Sequence, residues 1–176
     1  MQFGNLNLTP VTERMDLVAA PVAQAIQSMN ASEIFVTEID PAISDTAAFC
    51  THYNTPLDRA VNCIILEATR ADKKWLAACC VLGAKRADVN GLVRRMLDAR
   101  RASFAPREVA VSETKMEFGA IGPIGLPAGM KILIDKAVID LDRLIIGSGM
   151  RNSKLVTSGK ILGDLPGVVV LENLGR

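Results

Sequence analysis

The chain has 176 residues, a formal net charge of +1, 49% hydrophobic residues and 22% charged ones. This length and composition suit one globular domain that buries a core without disulfides, and they exclude a disordered or low-complexity chain. A charge near zero gives no global electrostatic case for nucleic acid, and no apolar run reaches the ~20 residues needed to cross a bilayer.

In chain order, Val18, Ala19, Val22, Ala23 and Ile26 recur at helical spacing, with Thr9 as N-cap and Pro10 at the first helical position. They predict a helix over residues 10–29, bent at Pro21. The β-rich run 34–39, closed by Asp40-Pro41, predicts a strand, after which Ser44 or Asp45 caps a short helix through Tyr53. Two near-continuous apolar runs, 61–67 and 75–82, predict a buried hairpin of central strands. Asp88 then caps a helix whose buried face is Val89, Leu92, Val93, Met96 and Leu97.

Residues 106–114 predict a weaker helix, and the Gly- and Pro-rich stretch 119–127 excludes regular structure. Short apolar runs at 131–134, 143–147, 154–157 and 168–171 predict further strands, with a small helix at 161–165. Strands and helices mix without strict alternation, which argues against a doubly wound sheet. The expected fold is a single α/β domain of the mixed, α+β kind. It has a curved mixed central sheet, outer helices and an N-terminal helical extension over residues 1–33.

The cysteines Cys50, Cys63, Cys79 and Cys80 form no C-x-x-C pair and His52 is the one histidine, so no metal is expected and the thiols read as reduced core residues. His52 falls inside a predicted helix, no G-x-S-x-G elbow is present, and hydrolysis by a triad loses support. The segment Gly119-Ala120-Ile121-Gly122-Pro123-Ile124-Gly125 matches neither a P-loop nor a dinucleotide fingerprint. Its glycines allow close backbone approach to a ligand and its prolines stiffen the frame; a plain wide turn is the competing reading. A second loop, Gly147-Ser148-Gly149-Met150-Arg151, offers backbone donors, a hydroxyl and a guanidinium suited to phosphate or carboxylate. Arg70, Lys73, Lys74, Lys85, Arg86, Arg94, Arg95, Arg100 and Arg101 form a basic cluster that either neutralises phosphates or is simply solvated.

Several of these segments stand in a family's order: residues 61–66, the helix beginning Asp88-Val89, Gly119-x-x-x-Pro123 with residues 124–127, Ile134-Asp135, and Gly147-Ser148-Gly149-x-Arg151. Together they resemble the YbaK family, which includes the editing domain of bacterial prolyl-tRNA synthetases, from residue 34 onward. The resemblance implies hydrolysis of the ester between an amino acid and the terminal adenosine of tRNA, without metal or other cofactor. It implies that the loop from Gly119 to Pro123 holds the aminoacyl end while a water is positioned with help from the ribose hydroxyl. Asn62, Gly119 and Pro123 are then the candidate catalytic residues, and Ala120, Ile121, Gly122, Gly125, Ser148, Gly149 and Arg151 the substrate-binding ones.

One position departs from the family. Many relatives carry a phosphate-contacting lysine where this chain has Asn62, and an amide donates a hydrogen bond without charge. Lys85, Arg86 or Arg151 are the candidate substitutes. The expected function is deacylation of mischarged tRNA in the cytoplasm, by a monomer or homodimer with a synthetase as candidate partner. The rival readings are an inactive module that binds a tRNA end or small aminoacyl ligand, and a homo-oligomer formed through exposed apolar positions near Leu141 and Leu144.

Overall fold

The computed structural model describes residues 2–176. A small ribbon of β1 (Gln2–Phe3) and β2 (Leu6–Asn7) precedes β3 (Thr9–Pro10), which pairs with β4 (Phe35–Glu38). Two single 3₁₀ turns, Val11–Glu13 and Met15–Leu17, lead into α1 (Ala20–Gln27). The helix expected over 10–29 is therefore much shorter. Thr9 and Pro10 are committed to a strand, and Pro21 sits in the first turn of α1, where its missing N–H costs nothing.

After α2 (Thr46–His52) come β5 (Val61–Arg70) and β6 (Lys73–Leu82), an antiparallel hairpin in register from Val61↔Leu82 to Arg70↔Lys73. Asp45, not Ser44, caps α2 by accepting from the amides of Ala47 and Ala48. β6 lies in the middle of the larger sheet and is buried on both faces, which is why its residues 77–81 form an unbroken apolar run. Asp88 caps one turn of π-helix, Val89–Val93, that passes into α3 (Arg94–Met96). β7 (Arg101–Phe104) and α4 (Arg107–Thr114) follow.

The last third supplies β8 (Lys131–Asp135), α5 (Lys136–Ile139), β9 (Leu144–Gly147), β10 (Ser153–Thr157), α6 (Gly159–Gly163) and β11 (Val168–Leu171). Strand pairing produces two principal sheets. One is mixed, ordered β11-β8-β6-β5-β7, and the other is antiparallel, ordered β3-β4-β10-β9. A parallel bridge between Ala60 and Ile145 joins them beside the start of β5.

Side-chain alternation explains the layers. Val61, Ile65, Ala78, Cys80, Ile132 and Ile134 face a core shared with Val36, Ile146, Leu155 and the α1 residues Val22 and Ile26. Leu66, Ala77, Cys79, Val81 and Leu133 face the opposite way, onto Val93, Leu97 and Leu174. Leu144 is fully buried and Leu141 is half-buried against the first core, so neither is the exposed apolar position that the rival homo-oligomer reading needs. β7 and α5 were not expected, because β7 is Arg-Ala-Ser-Phe with no apolar run and α5 is four residues, too short to show a helical period.

The tightest backbone approach lies between the two glycine-bearing turns. A Cβ built on Gly122 stands 2.1 Å from the Gly147 carbonyl oxygen, and one built on Gly147 stands 2.2 Å from the Ala120 oxygen. Gly122→Ala must therefore push two backbone segments apart, at a cost of ~2 kcal/mol, or ~4–8 °C in melting temperature for a chain of this size. Gly163→Ala, whose Cβ meets nothing closer than 3.6 Å, should leave the transition unchanged or slightly raised in the same calorimetric experiment.

Candidate functional site

A cleft of about 420 Å³ opens beside the first half of β5. Residues 44–46 at the head of α2 form one wall, β5 residues 61–65 the floor, and Gly119 and Ile121 the opposite wall. Phe104, Arg107 and Phe118 stand at its mouth. The wall at Gly119 and Ile121 is held from behind by the second turn: the Gly149 amide donates to the Ala120 carbonyl at 2.8 Å, and the Glu117 amide to the Gly149 carbonyl at 2.9 Å. The two glycine-bearing turns thus meet, as the sequence reading requires.

Gly119, Ile121 and Asn62 line the cleft directly. Gly119 has φ +89°, and a Cβ built there touches nothing within 4 Å, so its open face looks onto free space. Among the described residues the amides of Gly119 and Ile121 donate no hydrogen bond within the chain. Asn62 is half-buried, and its Oδ1 accepts from the Thr46 hydroxyl at 2.6 Å, which fixes the side chain across the gap between β5 and α2.

The other expected residues stand behind the wall. Ala120, Gly122 and Pro123 are buried there and do not line the cleft. Gly125, at φ +82°, gives close passage to Pro21 and Val22 of α1; its built Cβ would lie 2.6 Å from the Pro21 carbonyl oxygen. Gly149, at φ +84°, packs on Ala19 and Met116. Ser148 is fully buried, with its hydroxyl 2.7 Å from that of Ser153, which donates in turn to the Leu17 carbonyl. These residues build the frame that presents Gly119 and Ile121.

Arg151 lies outside the cleft, in an adjoining groove with Arg107, Glu117 and Phe118. Its guanidinium donates to Ser44 Oγ at 3.2 Å and to the Pro41 carbonyl at 3.1 Å. Lys85 and Arg86 are exposed after β6 near the C-terminal residues, where Arg86 and Arg176 exchange backbone hydrogen bonds, and neither lines the cleft. His52 ends α2 on the surface, edge-on to Tyr53, with its ring centroid 4.7 Å from that of Tyr53.

Two features escaped the sequence reading. Cys63 is a cleft residue, paired across the hairpin with Cys80. A hydrogen bond with Cys63, together with burial, raises Cys80 well above the usual thiol range, and burial pushes Cys79 up to about 12, so those two thiols stay protonated. The second is Lys154 of β10, which lines the cleft yet is only 6% exposed. Its Nζ donates to the Ser44 carbonyl at 3.0 Å and lies 5.6 Å from the Phe49 ring centroid. Burial lowers its affinity for a proton, with Cys50 and Asp45 opposing that effect. The available signal was register: Lys154 shares a strand face with Val156, and that face packs toward Phe49 and Cys50, where a charge is unusual.

The family model described as "Aminoacyl-tRNA editing domain" matches residues 40–165. No curated protein matches the chain. Among solved structures, a candidate trans-editing enzyme for prolyl tRNA synthetase is similar at 16% identity and TM-score 0.75, over 97% of this chain and 99% of that one. The hypothetical protein APE2540 is similar at 17% identity and TM-score 0.77, over 89% and 99% of the two chains. A scaffold from work on epitope backbone grafting by computational design is similar at 16% identity and TM-score 0.76, over 90% and 97%. At such identities the structural likeness speaks for the fold, and the family match, covering more than half the sequence, speaks for descent. The chain belongs to the aminoacyl-tRNA editing domain family.

Proposed function

We propose that this protein acts in trans as an aminoacyl-tRNA deacylase, taking the 3′ end of a mischarged tRNA into the cleft and hydrolysing its ester. The observation that carries the reading is the convergence of Asn62, Gly119 and Ile121 in one cleft, with the amides of the last two unpartnered among the described residues, in a chain of the editing family. A volume of about 420 Å³ is within the usual range for small-ligand sites, roughly 300–1,000 Å³.

In this reading a water attacks the ester carbonyl carbon and the carbonyl oxygen takes up negative charge. The intermediate collapses to a free amino acid, and the ribose oxygen leaves with a proton. No histidine lines the cleft among the described residues, and in this reading the protein contributes position and polarity. Backbone donors at Gly119 and Ile121 would stabilise the oxyanion; one well-placed donor of this kind is worth ~10²–10³-fold in rate. Asn62, anchored by Thr46, would orient the ribose or the water. Pro123 and the buried glycines act through the frame, and Arg151 would meet tRNA phosphate from the adjoining groove.

Residues 1–176 then work as one editing domain in the cytoplasm, where tRNA is charged, with Ala19 and the start of α1 bracing the glycine-bearing turns from behind. Purified protein incubated with a panel of mischarged tRNAs should release the amino acid from at least one of them well above the buffer rate. Release from none, with binding of a non-hydrolysable aminoacyl-adenosine analogue retained, would leave a binding module in place of the enzyme. Ile121→Ala should widen the cleft and raise hydrolysis of bulkier aminoacyl esters about tenfold relative to small ones, since a few methylenes in an apolar pocket discriminate by only ~1–3 kcal/mol. Competing the two esters in one reaction measures that ratio.

A further inference from the structure

Asn62 brings no charge to the cleft, but the cleft holds two cationic side chains, Arg107 and Lys154. Arg107 is exposed at the mouth, its guanidinium carbon 4.9 Å from the Phe118 ring centroid, and it is free to trade water for ligand. Lys154 differs. It is buried, its one hydrogen bond goes to the Ser44 carbonyl, and among the described residues no carboxylate pairs with it. An ammonium has three donors, so most of its capacity is unused in a place where solvation is poor. Asp45 acts on this ammonium only from beyond ion-pair distance, so keeping the charge out of water is costly, and an anionic ligand oxygen arriving in the cleft would remove much of that cost.

Lys154 and Asn62 also share an anchor. The Lys154 ammonium donates to residue 44 and Asn62 accepts from residue 46, so both side chains reach the head of α2 from different sheets, β10 and β5. We propose that Lys154 is the working cation of this cleft, meeting an anionic oxygen of the bound aminoacyl-adenosine end in place of the charge that Asn62 lacks. The inference rests on the deacylase reading. The oxygen has two sources, the phosphate of the terminal nucleotide and the oxyanion of the attacked ester, and both call for the same ammonium.

Deacylation is measured for the wild type, Lys154→Met, Lys154→Arg and the double variant Asn62→Lys/Lys154→Met, on the mischarged tRNA that the wild type hydrolyses best. Lys154→Met should lower kcat/KM about a hundredfold, and the arginine and double variants should each recover about tenfold or more. A purely structural lysine would not be replaced from a different strand, so recovery by Asn62→Lys separates the two roles. Thermal melting checks that each variant folds, and Lys154→Gln stands in if the methionine variant does not. Repeating the comparison on 3′-aminoacyl adenosine with and without its 5′-phosphate identifies the oxygen: an effect confined to the phosphorylated substrate marks the phosphate, and one present on both marks the oxyanion. Retention of activity by Lys154→Met within about threefold, or loss that neither second variant repairs in folded protein, overturns the proposal and leaves the deacylase reading intact. A wild type that hydrolyses none of the panel overturns both.

Discussion

The cleft depends on a backbone contact from which side chains are excluded. Gly122 and Gly147 come so close that any Cβ on either would overlap the other turn's carbonyl, and hydrogen bonds between residues 120 and 149 and between 117 and 149 lock the pair. Close-packed interiors do not absorb a clash of that size without shifting a neighbour. The same two turns carry α1 on their outer side, through Gly125 against Pro21 and Gly149 against Ala19. Position is thus passed from the N-terminal segment through the turns to Gly119 and Ile121, which alone of the first turn's residues 119–125 face the cleft.

A second constraint is electrostatic. All of β10 is buried, as befits a strand between β4 and β9, yet its second residue is a lysine. The fold holds the lysine stem in the interior and lets the ammonium reach one carbonyl and one aromatic face at the cleft edge. Hydrophobic packing alone would favour a leucine or methionine there. A charge kept in such surroundings is the kind of local inconsistency that accompanies functional sites.

Both sheets contribute to the cleft, and neither could make it alone. β5 supplies Asn62 and Cys63, β9 and β10 supply Gly147 and Lys154, and the bridge at Ala60 and Ile145 fixes how the two sheets meet. The head of α2 closes the remaining side, with Asp45 spent on capping its own helix and Ser44 and Thr46 spent on holding Lys154 and Asn62. On the facing turn the amides of Gly119 and Ile121 donate no hydrogen bond among the described residues.

Much of this was legible locally. The hairpin of β5 and β6, the Asp45 and Asp88 caps, the irregular stretch 119–127 and the short strands of the last third each depend on residues close in sequence, whose period and turn chemistry act at short range. The order of motifs was enough to suggest the family, because glycines and prolines at fixed spacing record backbone geometry directly. Three things came only with tertiary structure. The expected long first helix yielded to a strand at Thr9 and Pro10, because pairing with β4 outweighed helical spacing. Most residues of the glycine-bearing turns proved to support the wall, since the side each one presents depends on what packs behind it. Lys154 joined Asn62 across 92 positions of sequence, as no local pattern could announce, because it is the meeting of two sheets that brings β10 beside the opening of β5.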